Sequence, residues 1–225
     1  VEESACSDSW TEFVYNDQDQ LIRREKKTWK GESYCISASY DESGHRVSEA
    51  DGSGNITFYE CDGFGREIKI IYPAVLDENN HIINPMITKS YDINGNLVCE
   101  VDEKGYSTFR KYNDRGQETE IFYPDGSREK FEYHKDGTLA RGIGKNGSYT
   151  CYTYDVLSRA IKAEACTEGH QLIGVTSGTY SAYHMTSSTD SAGHTTLYYY
   201  DGAGRQLSIT EITEDGCKQV AFEYN

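Results

Sequence analysis

The feature that most constrains the fold of this chain is a recurring five-residue motif: an aromatic residue, then Asp or Asn, two variable residues and Gly. Recognisable copies begin at Tyr40, Cys61, Tyr91, Tyr112, Tyr133, Tyr154 and Tyr200, with a degenerate copy at Tyr15 and the start of another at Tyr224. The closing residues are 21 positions apart for the pairs Gly44–Gly65, Gly95–Gly116, Gly116–Gly137 and Gly137–Ser158. A further glycine follows ten residues later in four copies, at Gly54, Gly105, Gly126 and Gly147. The chain therefore reverses about every ten or eleven residues, a rhythm typical of short strands joined by tight turns.

The residue types of the motif suit such a turn. The carboxylate after the aromatic residue can accept hydrogen bonds from backbone N–H groups of the turn, and it is supplied by Asp41, Asp62, Asp92, Asp155 and Asp201. The glycine three residues later provides the positive φ that closes the turn. Where Asp19 and Ser158 replace this glycine, we expect a small polar residue to tolerate the same conformation or to force a variant turn.

Between the turns, the side chains alternate with a period of two, and no segment has helical periodicity. Phe131 and Tyr133, for example, fall on one face, and Lys130 and Glu132 on the other. A two-stranded unit is not stable alone, so neighbouring units must pair. We therefore predict an all-β fold in which tandem antiparallel β-hairpin repeats form a continuous twisted or curled sheet, as a spiral or partial shell.

The repeat defines the predicted organisation of the chain. We expect one array over residues 1–225, repeat-like at 12–72, 88–165 and 186–225, with insertions or degenerate copies at about 73–89 and 164–185. These breaks should lengthen strands or place loops at the rim, where a ligand site would most readily form. The ends at Val1 and at Tyr224-Asn225 suggest a piece of a longer polypeptide. Unpaired edge strands would then promote self-association.

Composition limits the possible partners. Acidic residues outnumber basic ones by 37 to 22, a net charge of −15, which disfavours nucleic acid and anionic lipid. No apolar run is long enough to span a bilayer, so membrane insertion is not expected. Nineteen tyrosines argue against disorder. The odd number of cysteines (Cys6, Cys35, Cys61, Cys99, Cys151, Cys166 and Cys217) and the absence of any C-x-x-C pair favour free thiols over a zinc site.

No pattern of catalytic, metal-binding or cofactor-binding residues stands out. One Asp per turn is too few for calcium, which favours turn capping for these carboxylates. Arg66, Arg159 and Arg205 could bind an anion, but pairing with a Glu of a neighbouring strand or stacking over a Tyr is the more common role. The six histidines lack metal-ligand spacing. We therefore expect no catalytic, metal or cofactor residues and no enzyme activity.

The motifs closely resemble YD repeats, the units of the bacterial Rhs family that also occur in insecticidal toxin-complex subunits and animal teneurins. The resemblance rests on the Tyr-Asp-x-x-Gly copies, on Gly65-Arg66, Ser158-Arg159 and Gly204-Arg205, and on the Tyr123-Pro124-Asp125-Gly126 turn. It covers residues 12 to 225. It identifies the following as structural motif residues: Tyr40, Asp41, Gly44, Asp62, Gly65, Arg66, Tyr91, Asp92, Gly95, Tyr112, Gly116, Tyr133, Gly137, Tyr154, Asp155, Arg159, Tyr200, Asp201, Gly204 and Arg205.

The resemblance implies a β-strand shell around a C-terminal toxin domain, in a protein that is secreted or displayed at the cell surface. The predicted function is therefore structural: the chain forms shell wall, and its partners are the remainder of a larger polypeptide and its toxin cargo. The family's Asp-Pro self-cleavage site has no counterpart here, because the prolines follow Tyr72, Asn84 and Tyr123. An alternative is a carbohydrate-binding or adhesion module that uses exposed tyrosines as stacking platforms.

Overall fold

The structure, a computed structural model, describes residues 9–28 and 33–224, and these residues contain strands and turns but no helix. This confirms the predicted all-β fold of antiparallel hairpins. Two units are distinguished, one ending at Phe109 and the other beginning at Arg110. The division into repeat-like segments and the single array over 1–225 stay predictions.

The first unit contains ten strands and the start of an eleventh. They are β1 (Ser9–Tyr15), β2 (Leu21–Thr28), β3 (Ser33–Tyr40), β4 (Arg46–Ala50), β5 (Ile56–Cys61), β6 (Glu67–Ile71), β7 (Val75–Leu76), β8 (Ile82–Ile83), β9 (Met86–Tyr91), β10 (Leu97–Val101) and β11 (Ser107–Tyr112). Each strand pairs antiparallel with the next, except that β6 pairs with β9. Strands β7 and β8, which lie within residues 73–89, form a separate hairpin.

The second unit continues the same pattern. Its strands are β12 (Glu118–Phe122), β13 (Arg128–Tyr133), β14 (Leu139–Ile143), β15 (Tyr149–Tyr154), β16 (Ala160–Cys166), β17 (Leu172–Tyr180), β18 (Met185–Thr189), β19 (Thr195–Tyr200), β20 (Gln206–Thr213) and β21 (Gly216–Ala221). Each of the strands β12 to β20 pairs antiparallel with its successor in the chain. Strand β17, which lies within residues 164–185, has nine residues and is longer than β16 and β18.

Consecutive turns fall on opposite edges of each sheet, and the two edges differ in detail. The turns that follow the motif aromatic, here called Tyr-Asp turns, are accompanied by a register shift at that aromatic position, as at Tyr40, Cys61, Tyr133 and Tyr154. Of the opposite turns, those between β4 and β5, β12 and β13, β14 and β15, and β18 and β19 show no shift. The turn between β16 and β17 is an exception, with a shift at Cys166. A β-bulge adds a residue to one strand and increases its local twist. The bulges therefore recur on the Tyr-Asp edge.

Hydrophobic burial contributes unusually little to this fold. Among the described residues no apolar side chain is buried, and Ser208, at 8% exposure, is the one buried residue. Each sheet is a single layer with both faces accessible. Stability must therefore come from the backbone ladders and from side-chain contacts between neighbouring strands and repeats.

Candidate functional site

The most regular feature of this chain is the set of contacts that join one repeat to the next, and it begins inside the Tyr-Asp turn. In the turn at residues 62–66, the Asp62 N–H donates to the Arg66 carbonyl at 2.9 Å, and the Gly65 N–H donates back to the Asp62 carbonyl at 2.9 Å. The Asp62 carboxylate accepts from the N–H groups of Phe64 and Arg66, at 2.9 and 3.0 Å. Gly65 has a φ of 79°. This combination is a type I turn closed by a residue in the left-handed region.

The substitutions for the closing glycine keep this geometry. Ser158 and Asp19 adopt φ values of 60° and 59°, and each N–H donates to the first residue of its turn, Asp155 or Asn16. This confirms the expectation that small polar residues tolerate the left-handed conformation.

The predicted Asp caps lie where the sequence placed them. The same two hydrogen bonds, donated by the N–H groups of the third and fifth turn residues, are accepted by the side chains of Asp41, Asp92, Asp155 and Asp201, and by that of Asn113 in the Tyr112 copy. The closing glycines Gly44, Gly95, Gly116, Gly137 and Gly204 all have positive φ. The motif residues thus act as turn formers.

A second way of capping was not anticipated. In three turns whose first position lacks Asp or Asn, those beginning at Tyr123, His134 and Gly144, the third position supplies the acceptor. Asp136, for example, accepts from the Thr138 N–H at 2.9 Å and from its hydroxyl at 2.7 Å. Asn146 and Ser148 repeat this arrangement at 3.1 and 2.6 Å. These three turns share the sequence D/N-G-S/T, at 125–127, 136–138 and 146–148. The same sequence also occurs at 51–53, where Asp51 is the first residue of its turn and caps it from that position.

The motif arginines link each turn to the following repeat. Arg66 pairs with Asp62 of its own turn, Nε to Oδ2 at 2.7 Å, and its guanidinium lies 4.6 Å from the centre of the Tyr91 ring. Arg159 and Arg205 make the same 2.7 Å bond to Asp155 and Asp201 and lie 4.5 and 5.1 Å from the rings of Tyr180 and Tyr224. The expected stacking of these three arginines on tyrosine rings is therefore observed. The ion-pair partner is the turn Asp rather than a Glu of a neighbouring strand, because the Asp is only four residues away.

The motif tyrosines bond to backbone of the preceding repeat. The Tyr154 hydroxyl donates to the Leu139 carbonyl at 2.9 Å, and Leu139 is the residue opposite Tyr133 at the preceding β-bulge. The same contact to the residue at the preceding bulge is made by Tyr40 to Leu21 (3.2 Å), Tyr91 to Glu67 (3.0 Å), Tyr180 to Ala160 (3.2 Å) and Tyr224 to Gln206 (2.8 Å). A bulge disrupts the ladder locally, so these hydroxyls supply donors to carbonyls beside the disruption.

Tyr133 makes the equivalent contact, to the carbonyl of Glu118 at 2.7 Å, and Glu118 follows Tyr112 by six residues as Leu139 follows Tyr133. Two motif positions depart from this pattern. Tyr200 stacks on His184 with ring centres 4.4 Å apart. Cys61 replaces the aromatic residue and has no hydroxyl to donate.

Hydrogen bonds within the turns lower the pKa of three turn carboxylates, those of Asp62, Asp155 and Asp201. The hydrogen bond from the Arg66 side chain lowers the pKa of Asp62, and that from Arg159 lowers the pKa of Asp155. The backbone N–H of Arg205, together with its side chain, lowers the pKa of Asp201. The carboxylates therefore remain ionised, which preserves both the turn caps and the arginine positions.

Other candidate groups are dispersed in the described part of the chain. Cys35, Cys61, Cys99, Cys151, Cys166 and Cys217 are free thiols, and Cys6 lies outside the described residues, as do Val1, Trp29 and Asn225. Within residues 9–28 and 33–224, no cluster of three or more His, Cys, Asp or Glu could hold a metal ion. No helix in these ranges is long and apolar enough to cross a membrane.

Comparison with solved structures relates this architecture to toxin complexes. The chain is 14% identical to a chain of the crystal structure of TcdB2-TccC3-Cdc42, with a TM-score of 0.67 over 90% of this chain and 12% of that one. A crystal structure of TcdB2-TccC3 gives 14% identity and a TM-score of 0.66 over the same shares. A structure of the Photorhabdus luminescens Tc holotoxin pore gives 13% identity and a TM-score of 0.62 over 95% of this chain and 14% of that one.

These similarities are in fold. The chain spans about an eighth of the length of the first two structures. No family model matches the sequence, and no curated protein does.

Proposed function

We propose that this chain is a non-catalytic structural scaffold: a stretch of β-shell wall, built from YD-type repeats, within a larger secreted or surface-exposed polypeptide or complex that encloses a toxin cargo. The observation that carries the proposal is the repeated use of one inter-repeat joint. The motif Tyr bonds to the preceding bulge, and the motif Arg joins its own turn Asp to the next Tyr. The fold similarity to toxin-complex structures supports the same proposal.

A wall of this kind is stabilised by contacts between neighbouring repeats rather than by a buried core. A globular binding module would bury an apolar core, yet no described apolar side chain is buried. A single-layer sheet joined by local contacts can instead be extended by adding repeats, because each repeat needs only its neighbours. The recurrent bulges on the Tyr-Asp edge give every added hairpin a similar local bend. Extension with a constant local bend is the property that a wall requires.

The test uses the full polypeptide to which these repeats belong. Limited proteolysis in increasing urea would follow two events: cleavage of the enclosed segment and loss of the β-sheet signal in circular dichroism. We expect both at the same urea concentration, because a continuous wall shields its contents until it unfolds. Digestion of all other segments while the sheet remains intact would contradict the enclosure.

For the chain studied in isolation, we also propose self-association through its sheet edges. Strand β21, at the end of the second unit, is exposed along its whole length, and so is β1 in the first unit. Open edges present unpaired backbone groups that can pair with another chain. Light scattering after size exclusion should show oligomers that increase with concentration. A strict monomer at high concentration would count against open edges.

A further inference from the structure

A groove of about 370 Å³ lies on one face of strands β15 to β19 in the second unit. Two cross-strand rows form its surface: Tyr152–Ala163–Thr176 and Gly178–Ser188–Thr196. Residues directly opposite one another share a face, and Thr176 and Gly178 are two positions apart on β17. All six residues therefore lie on the same face.

The depth of the groove comes from small residues beside a large ring. Ala163 and Gly178 lie along the floor, between the aromatic side chain of Tyr152 and strand β18. A Cβ added at Gly178 would lie 3.3 Å from the Ser187 carbonyl oxygen and 3.5 Å from Met185 Cε. A larger residue at position 178 would fill this space. The groove therefore depends on the glycine that the degenerate segment has at this position.

The rim of the groove is polar. Asp190 and His194 stand at one end, with Asp190 Oδ2 3.2 Å from His194 Nδ1. Ser188 Oγ lies 3.1 Å from the Tyr198 hydroxyl. The hydroxyls of Thr176 and Thr196 also line the groove, and neither makes a hydrogen bond within the described part of the chain. Carboxylate, imidazole and hydroxyl groups can together both donate and accept hydrogen bonds.

We propose that this groove binds a neutral saccharide through one of its sugar rings. The apolar C–H face of a sugar matches the Tyr152 ring and the small floor, while its hydroxyls match the polar rim. The volume falls within the range of small-ligand sites. Lys162, the lysine among the lining residues, is held by Glu164 at 2.8 Å, and the chain carries a net charge of −15. These charges disfavour a phosphorylated or carboxylated ligand.

This location differs from the exposed tyrosine ladder that the sequence suggested. The hydroxyls of the motif residue Tyr154 and of Tyr180, in the degenerate segment, donate to backbone carbonyls, and the Arg159 guanidinium lies 4.5 Å from the centre of the Tyr180 ring. Tyr152 is one pleat away from Tyr154 on β15 and borders the groove instead. The binding surface is therefore a single local site that does not recur with the repeat, and it is independent of the scaffold proposal.

The experiment is a calorimetric titration of the purified chain with a panel of neutral mono- and oligosaccharides, followed by the same titration of variants. Thr176→Val removes a rim hydroxyl at nearly constant shape, and Ala163→Leu fills the floor. Thr153→Val is the matched control, because Thr153 follows Tyr152 on β15, lies on the opposite face by strand alternation and does not line the groove. Circular dichroism and thermal unfolding verify that each variant is folded.

We expect saturable binding of at least one saccharide, weakened about fivefold by Thr176→Val, as one lost hydrogen bond implies. Ala163→Leu should abolish binding, and Thr153→Val should leave it unchanged. Absence of binding across the panel would overturn the proposal, as would binding that the groove variants do not affect. Binding of an unstructured apolar peptide in preference to every saccharide would also overturn it and would assign the groove to polypeptide. None of these results bears on the proteolysis test of the wall.

Discussion

Replacing Tyr154 with Phe would remove one hydroxyl from an inter-repeat joint and leave the ring in place. The lost bond is the 2.9 Å contact to the Leu139 carbonyl beside the preceding bulge. A hydrogen bond of this kind contributes about 1 kcal/mol net to stability. For a chain of this size, a loss of about 1 kcal/mol lowers Tm by about 2–4 °C. Thermal and urea unfolding, followed by circular dichroism, measure both quantities.

The control is available on the same strand and face. Tyr152 lies two residues away, and its hydroxyl makes no hydrogen bond within the described residues, so Tyr152→Phe should change stability by no more than a few tenths of a kcal/mol. If Tyr154→Phe proves as stable as Tyr152→Phe, the hydroxyl-to-bulge contact does not stabilise the array.

Three further predictions concern the turns and the missing aromatic residue. Cys61→Tyr should raise the unfolding free energy by about 1 kcal/mol in urea titrations, because it restores the donor that this copy lacks; an unchanged or lower value would contradict the joint. Asp136→Ala should cost about 1 kcal/mol, since Asp136 caps its turn, whereas Asp114→Ala, in a turn capped by Asn113, should be near neutral. Equal losses in the two variants would refute the second capping mode. Because the folded-state pKa of Asp155 is lowered, its contribution is present above its ordinary pKa of 3.8 and is lost as the pH falls through the folded-state value. Arg159→Gln should therefore destabilise the chain at pH 7 and by a smaller amount below pH 3.8, and an equal loss at both pH values would argue against the ion pair.

Much of the fold was predictable because its determinants are local. The Asp cap, the left-handed residue and the alternation of strand faces each depend on residues within about five positions of one another. Ser158 shows this clearly: its left-handed φ of 60° follows from its place in the motif, although it is not glycine.

The site was predictable only in part. That Arg66 would lie over a tyrosine was foreseen, but its partner Asp62 was not, although it is four residues away. The carbonyl that accepts the hydroxyl hydrogen bond lies 15 residues earlier in the chain for Tyr154 and 24 residues earlier for Tyr91. The side chain of the accepting residue differs between the two copies and does not mark it. The groove at Tyr152 depends on the register of five strands. Sequence periodicity does not fix how adjacent rows align.

The sequence by itself determined that this chain is a series of antiparallel hairpins with Asp-capped turns, because turn chemistry and strand alternation act between near neighbours. Only the tertiary structure decided which backbone carbonyls the tyrosines bond, that each sheet lacks a buried core, and where small residues leave a groove. These features arise when separate hairpins are aligned side by side. The alignment depends on bulges and cross-strand register, whose energies are shared among residues far apart in the chain.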